Sequence, residues 1–60
     1  DLESELIEIY EELKLLGFTL SERKQEDKYY HKSYEAKDKK EKVDIFIFNT
    51  NMFELSYTKY

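Results

Sequence analysis

The chain contains no cysteine, so it has neither a disulfide framework nor a thiolate zinc site, and its single histidine leaves only carboxylates as further metal ligands. A single glycine excludes a glycine-rich phosphate loop. The longest uncharged run, Ile45 to Phe53, is too short to cross a bilayer, and nothing at the start reads as a signal peptide. These absences lead to the expectation of a cytoplasmic protein with no membrane association, no cofactor and no metal, held together by packing alone. The margin is thin, because a chain of 60 residues hides only about 60% of the surface its unfolded form exposes.

What is present argues for a folded domain. Hydrophobic residues make up 40% of the chain and charged residues 40%, and six Tyr and four Phe are too many aromatics for a disordered acidic tail. The length fits one domain, residues 1–60. Its first residue, Asp1, is not methionine, as expected of a trimmed, processed or excised chain. Phe, Tyr, Met, Ile, Asn and Lys, whose codons are AT-rich, number 26, against 3 for Gly, Ala, Arg and Pro. That skew points to an AT-rich genome.

Leu2, Leu6, Ile9, Leu13 and Leu16 recur at spacings of 4, 3, 4 and 3, which lines one face of a helix. Asp1 is placed to cap it, and Glu3 and Glu5 suit the positive end of its dipole. Gly17 stands where a left-handed residue ends a helix, followed by Phe18 to fold back on the last turn. Burying five aliphatic side chains returns less than ordering the helix costs, so the stripe needs a partner. The spacing also suits a coiled coil, but two heptads are short and the strands that follow need a cover, so docking on the chain's own sheet is expected.

After Gly17 the period becomes 2. Phe18 and Leu20, Tyr30 and Tyr34, then Val43, Ile45 and Ile47, then Phe53, Leu55 and Tyr57 mark four strands. Lys24 to Lys28, Lys37 to Lys42 and the Asn49-Thr50-Asn51 segment read as turns, with Asn51 able to take positive φ. The fold class is α+β: one N-terminal helix packed on a three- or four-stranded antiparallel β-meander. The expected core is Leu6, Ile9, Leu13, Ile45, Ile47, Phe53 and Leu55. Register in the last hairpin is open. Pairing Ile47 with Leu55 and Ile45 with Tyr57 gathers the aliphatic residues under the helix and leaves Phe46 and Phe48 outside, whereas a one-residue slip reverses the two sets. Either way the third apolar strand is apolar on both faces. The first register puts Phe46 and Phe48 away from the helix, available to a homodimer or a partner.

Residues 1 to 16 carry a net charge of −5 and the remainder +1, so the whole net charge of −4 resides on the helix. Glu8 and Glu11 fall opposite the aliphatic stripe with Ile7 and Leu15 among them, a pattern suited to a solvated face or to apolar anchors steered by carboxylates towards a basic partner. His31, in the Tyr29-Tyr30-His31-Lys32-Ser33-Tyr34 run, is the one side chain that ordinarily titrates near neutral pH. No triad or metal-ligand spacing accompanies it. Arg23, Lys24, Lys28, Tyr29, His31, Lys32, Phe46 and Phe48 interleave bases with aromatics, a composition that can stack single-stranded nucleic acid, but the acids among them and a sequence pI near 4.9 count against it.

The order helix, Gly17-Phe18, then strands resembles the small α-β-β-β proteins of phages and mobile elements of AT-rich bacteria, some of which bind and inhibit host proteins. The stretch Leu13-Lys14-Leu15-Leu16-Gly17-Phe18 also resembles the opening of HicA-like toxin modules, which cleave RNA with a histidine in a Gly-Ser-His step. The corresponding Glu26-Asp27-Lys28-Tyr29-Tyr30 has no such step, and His31 comes after it. The sequence therefore leads to a non-enzymatic module that binds another protein or a second copy of itself, with nucleic acid as the alternative. The partner-binding residues are Ile7, Glu8, Glu11, Leu15, Tyr29, His31, Phe46 and Phe48.

Overall fold

A computed structural model describes residues 1–49 and 51–60. Helix α1, Leu2–Leu15, is followed by strands β1, Phe18–Gln25, β2, Tyr29–Ala36, β3, Glu41–Phe48, and β4, Met52–Lys59. The strands form one antiparallel sheet in the order β1-β2-β3-β4. This is the α+β meander expected, with four strands.

Helix α1 starts where its cap dictates. Asp1 Oδ1 accepts a hydrogen bond from the Ser4 amide at 2.8 Å, satisfying a donor that the first turn leaves open. It ends at Gly17, whose φ of 89° favours glycine, and an added Cβ would meet nothing within 4 Å. Conformation rather than space therefore selects this residue. Gly17→Ala is expected to cost about 1 kcal/mol, read as a lower urea midpoint with an unchanged slope, and Gly17→Asn is expected to cost less. Leu16, placed in the aliphatic stripe by its spacing, is instead the exposed C-cap residue. The helix has already ended there, so its side chain no longer points at the sheet.

The buried core is Leu6, Leu13, Phe18, Val43 and Ile45, with Ile9, Ile47 and Phe53 packed partly against it. Tyr10 reaches from the helix to β2, stacking on Tyr34 at 5.9 Å between ring centroids. The Lys32 ammonium sits 4.1 Å from the centre of the Tyr10 ring, so its charge is held over an electron-rich face. Burial, and then the neighbouring Tyr30, push the Tyr10 hydroxyl above its ordinary pKa.

In the last hairpin Val43 pairs with Tyr57, Ile45 with Leu55 and Ile47 with Phe53. The faces are those of the first register, but each partner is two residues nearer the turn than the expected pairing. A shift of two preserves the face because the side-chain period of a strand is 2. Asn51 takes φ 61°, and Lys39 takes φ 60° in the preceding turn. Thr50 lies outside the described residues. The strands also extend into the charged segments read as turns, with β1 reaching Gln25 and β3 starting at Glu41. Pairing with a neighbour, rather than apolarity, sets those ends.

Leu55, expected in the core, is 48% exposed. Helix α1 packs on Phe18 of β1, Tyr34 of β2, and Val43 and Ile45 of β3. With strands ~4.8 Å apart, β4 lies roughly 14 Å from β1, farther than a single helix about 10 Å across can cover. The helix side of β4 therefore stays partly open. The opposite edge, β1, carries a bulge between Leu20 and Glu22, and the Ser21 hydroxyl donates to the Ser33 carbonyl at 3.1 Å.

Candidate functional site

Pairing across the sheet sorts its side chains into a helix side and an open side. Tyr34, Lys32 and Tyr30 of β2 face the helix side with Val43, Ile45 and Ile47, while Ser33, His31 and Tyr29 face the open side with Asp44, Phe46 and Phe48. The prediction that Phe46 and Phe48 lie away from the helix is met. Both are half-buried, as are Tyr29 and His31.

These four side chains form one cluster. His31 pairs with Phe46 and Tyr29 with Phe48 directly across the two strands. The His31 and Phe46 rings stack nearly parallel, 4° apart with centroids at 4.5 Å. Tyr29 and Phe46 meet in a T-shaped arrangement with centroids at 5.8 Å, and Tyr29 lies tilted to Phe48 at 5.9 Å. Such contacts favour offset or edge-on geometry because ring faces are negative and ring edges positive. They fix the cluster as a preformed surface. On the far side β4 adds Met52 opposite Phe48 and Glu54 opposite Phe46, two neighbours that the sequence pattern did not single out.

Beneath the cluster lies a polar group that the sequence did not reveal. The His31 Nε2 is 2.8 Å from Asp44 Oδ1, and the Ser33 hydroxyl donates to the same oxygen at 2.5 Å. Ser33 Oγ and His31 Nε2 are 3.2 Å apart. The signal was there: a polar Asp44 interrupts the apolar run Val43–Phe48, and His31 and Ser33 share a face at spacing 2. Serine, histidine and aspartate are the residue types of a hydrolase triad, but the geometry differs. A triad needs one imidazole nitrogen on the carboxylate and the other on the serine, whereas here a single nitrogen meets both. Ser33 is 1% exposed, beyond a substrate's reach. Burial pushes the Asp44 carboxyl up, but hydrogen bonds from Ser33 and His31, together with the charges of Lys42 and His31, outweigh it and hold it below its ordinary value. Among the described residues no buried side-chain nitrogen or oxygen lacks a partner, and no group of three or more His, Asp or Glu is placed to hold a metal ion.

The other half of the expected partner-binding set lies elsewhere. Ile7, Glu8, Glu11 and Leu15 are exposed on the outer face of α1, across the molecule from the aromatic cluster, with Ile7 49% and Leu15 84% exposed. The eight residues thus make two separate surfaces. The structure also divides the bases of the mixed aromatic and basic set. Arg23 and Lys32 pair with each other on the helix side, where Lys32 is committed to Tyr10. On the open side Lys24 and Lys42 are set against Glu22, Glu35, Asp44 and Glu54, and Lys24 is paired with Glu26 at 3.0 Å.

The chain matches no family model, no curated protein and no solved structure. Among the described residues, no helix is long and apolar enough to cross a membrane.

Proposed function

We propose that this chain is a non-enzymatic protein-binding module, acting as a small inhibitor or regulator that docks another protein on the open face of its sheet. The observation that carries this reading is the Tyr29, His31, Phe46 and Phe48 cluster, a preformed, half-buried aromatic surface on the side of the sheet away from α1. Aromatic side chains dominate binding energy when a partner desolvates them, because they bury a large area at little rotamer cost. The surrounding acids, and the acidic outer face of α1, favour a partner with apolar anchors and a basic rim.

The same charges argue against a nucleic-acid ligand. A stacking platform for single strands needs cations along the backbone path, and on this face carboxylates outnumber lysines.

The test is affinity capture from the source organism followed by calorimetric titration of the purified partner. Phe46→Ser with Phe48→Ser is expected to weaken binding by roughly 2 kcal/mol or more, as for hot-spot aromatics, while Ile7→Ser with Leu15→Ser leaves it unchanged. The reverse pattern would move the docking surface to α1. Binding of a single-stranded oligonucleotide that weakens steeply with salt and is lost in Tyr29→Ala would replace the protein partner with a nucleic acid.

A further inference from the structure

Every sheet that is not closed has two edges, and the two edges here are built differently. An edge strand presents unpaired backbone donors and acceptors, and proteins guard such edges with bulges, charges or cover. Edge β1 is guarded: it carries the bulge at Ser21 and three successive charged residues, Glu22, Arg23 and Lys24. Edge β4 has no such guard. Its pairing with β3 runs without a break from Met52 to Lys59, with only Glu54 and Lys59 charged. On its helix side Leu55 and Tyr57 stand about half exposed beside the core, and Met52 is exposed on the open side.

We infer that β4 is a self-pairing edge, joining two copies of this chain antiparallel about a twofold axis at Leu55 into one continuous sheet. Charge selects the register. An axis at Glu54 sets two carboxylates directly opposite each other, which is destabilising. An axis at Ser56 sets Lys59 against Phe53. With the axis at Leu55, Phe53 of each copy faces Tyr57 of the other, Leu55 faces its own counterpart, Glu54 faces Ser56 and Met52 faces Thr58. The aromatic and aliphatic residues that α1 leaves open then cover one another. A twofold axis perpendicular to the sheet keeps both helices on one side. Since α1 packs on Phe18, Tyr34, Val43 and Ile45, side chains of β1, β2 and β3, the acidic helices stand back from the seam and do not confront each other there. A specific interface needs about 1,000 Å² in total, and an eight-residue strand pair flanked on both copies by Met52, Leu55 and Tyr57 is of that order. Self-pairing does not depend on what the open face binds, and it brings two aromatic clusters onto one surface.

The absence of native cysteine makes the register directly measurable. Residues directly opposite on antiparallel strands have Cα atoms ~4.5–5.5 Å apart, within the range a disulfide spans. In the Leu55 register, at a rise of ~3.4 Å per residue, the two Met52 positions are roughly 20 Å apart. Single-cysteine variants Leu55→Cys and Met52→Cys are oxidised and run without reductant, alongside sedimentation of the wild type and of Leu55→Lys. The expected result is a dimeric wild type, a covalent dimer for Leu55→Cys but not for Met52→Cys, and a monomeric Leu55→Lys with unchanged circular dichroism. Should Leu55→Lys fail to fold, the cysteine pair alone decides. A wild type that stays monomeric at high concentration, a Leu55→Cys that does not cross-link, or equal cross-linking of the two variants would overturn the inference. So would a dimer that persists in Leu55→Lys and is lost in the Phe46→Ser, Phe48→Ser double variant, since that result places the seam on the open face.

Discussion

Ile45→Ala is expected to remove roughly 2–5 kcal/mol of stability and to leave much of the population unfolded at room temperature. Ile45 is the large side chain with 0% exposure, central in β3 between Lys32 and Leu55 and beneath the helix. Truncation loses the transfer free energy of the deleted carbons and opens a cavity that the fixed pairings on both sides keep from collapsing. At ~0.05–0.15 kcal/mol per residue a chain of this size has only about 3–9 kcal/mol to lose. Urea denaturation followed by far-ultraviolet circular dichroism measures the change. An Ile45→Ala protein with the wild-type midpoint would remove this residue from the core and, with it, the docking of α1 on β3.

The second large effect is expected at Asp44. Asp44→Ala deletes the acceptor shared by Ser33 and His31 and leaves the buried Ser33 hydroxyl only the longer contact to His31 Nε2, a loss of roughly 2–4 kcal/mol for two hydrogen bonds to a charged group. The effect depends on pH with a definite sign. The folded-state pKa of Asp44 lies below its ordinary value of 3.8, so the ionised carboxylate stabilises the fold at every pH above that value. The increment is lost as pH falls through the depressed pKa. Wild type and Asp44→Asn are therefore expected to differ most at neutral pH and to converge under strongly acidic conditions. Urea midpoints measured at neutral and at acidic pH give the comparison. A constant difference across the acidic range would show that charge on Asp44 contributes nothing.

Most of the fold was legible because it rests on local signals. The stripe from Leu2 to Leu13, the cap at Asp1, the stop at Gly17 and the alternation of Val43, Ile45 and Ile47 each follow from the period of one element. What was not legible depends on extent in the third dimension. Leu55 alternates as a core residue does, yet its burial turns on how far one helix reaches across four strands. The ends of β1 and β3 consist of charged residues whose strand conformation comes from their neighbours. At the candidate site, the side of the sheet taken by Phe46 and Phe48 followed from alternation once Val43, Ile45 and Ile47 took the helix side. The sharing of Asp44 by His31 and Ser33 did not, because it needs the pairing of β2 with β3. The placement of the α1 residues and the aromatic ones on opposite sides of the sheet was not legible for the same reason: sequence gives the character of each surface but not the distance between them.

The order β1-β2-β3-β4 also bears on how the molecule forms. Each strand pairs only with its neighbours along the chain, and the links at 26–28, 37–40 and 49–51 are short. Closing such links costs little chain entropy, and no strand waits for a distant segment to arrive. Topologies dominated by near-neighbour contacts fold fast for their size. The meander can therefore zip from any one of its hairpins, with the docking of α1 as the one step that joins distant parts of the chain.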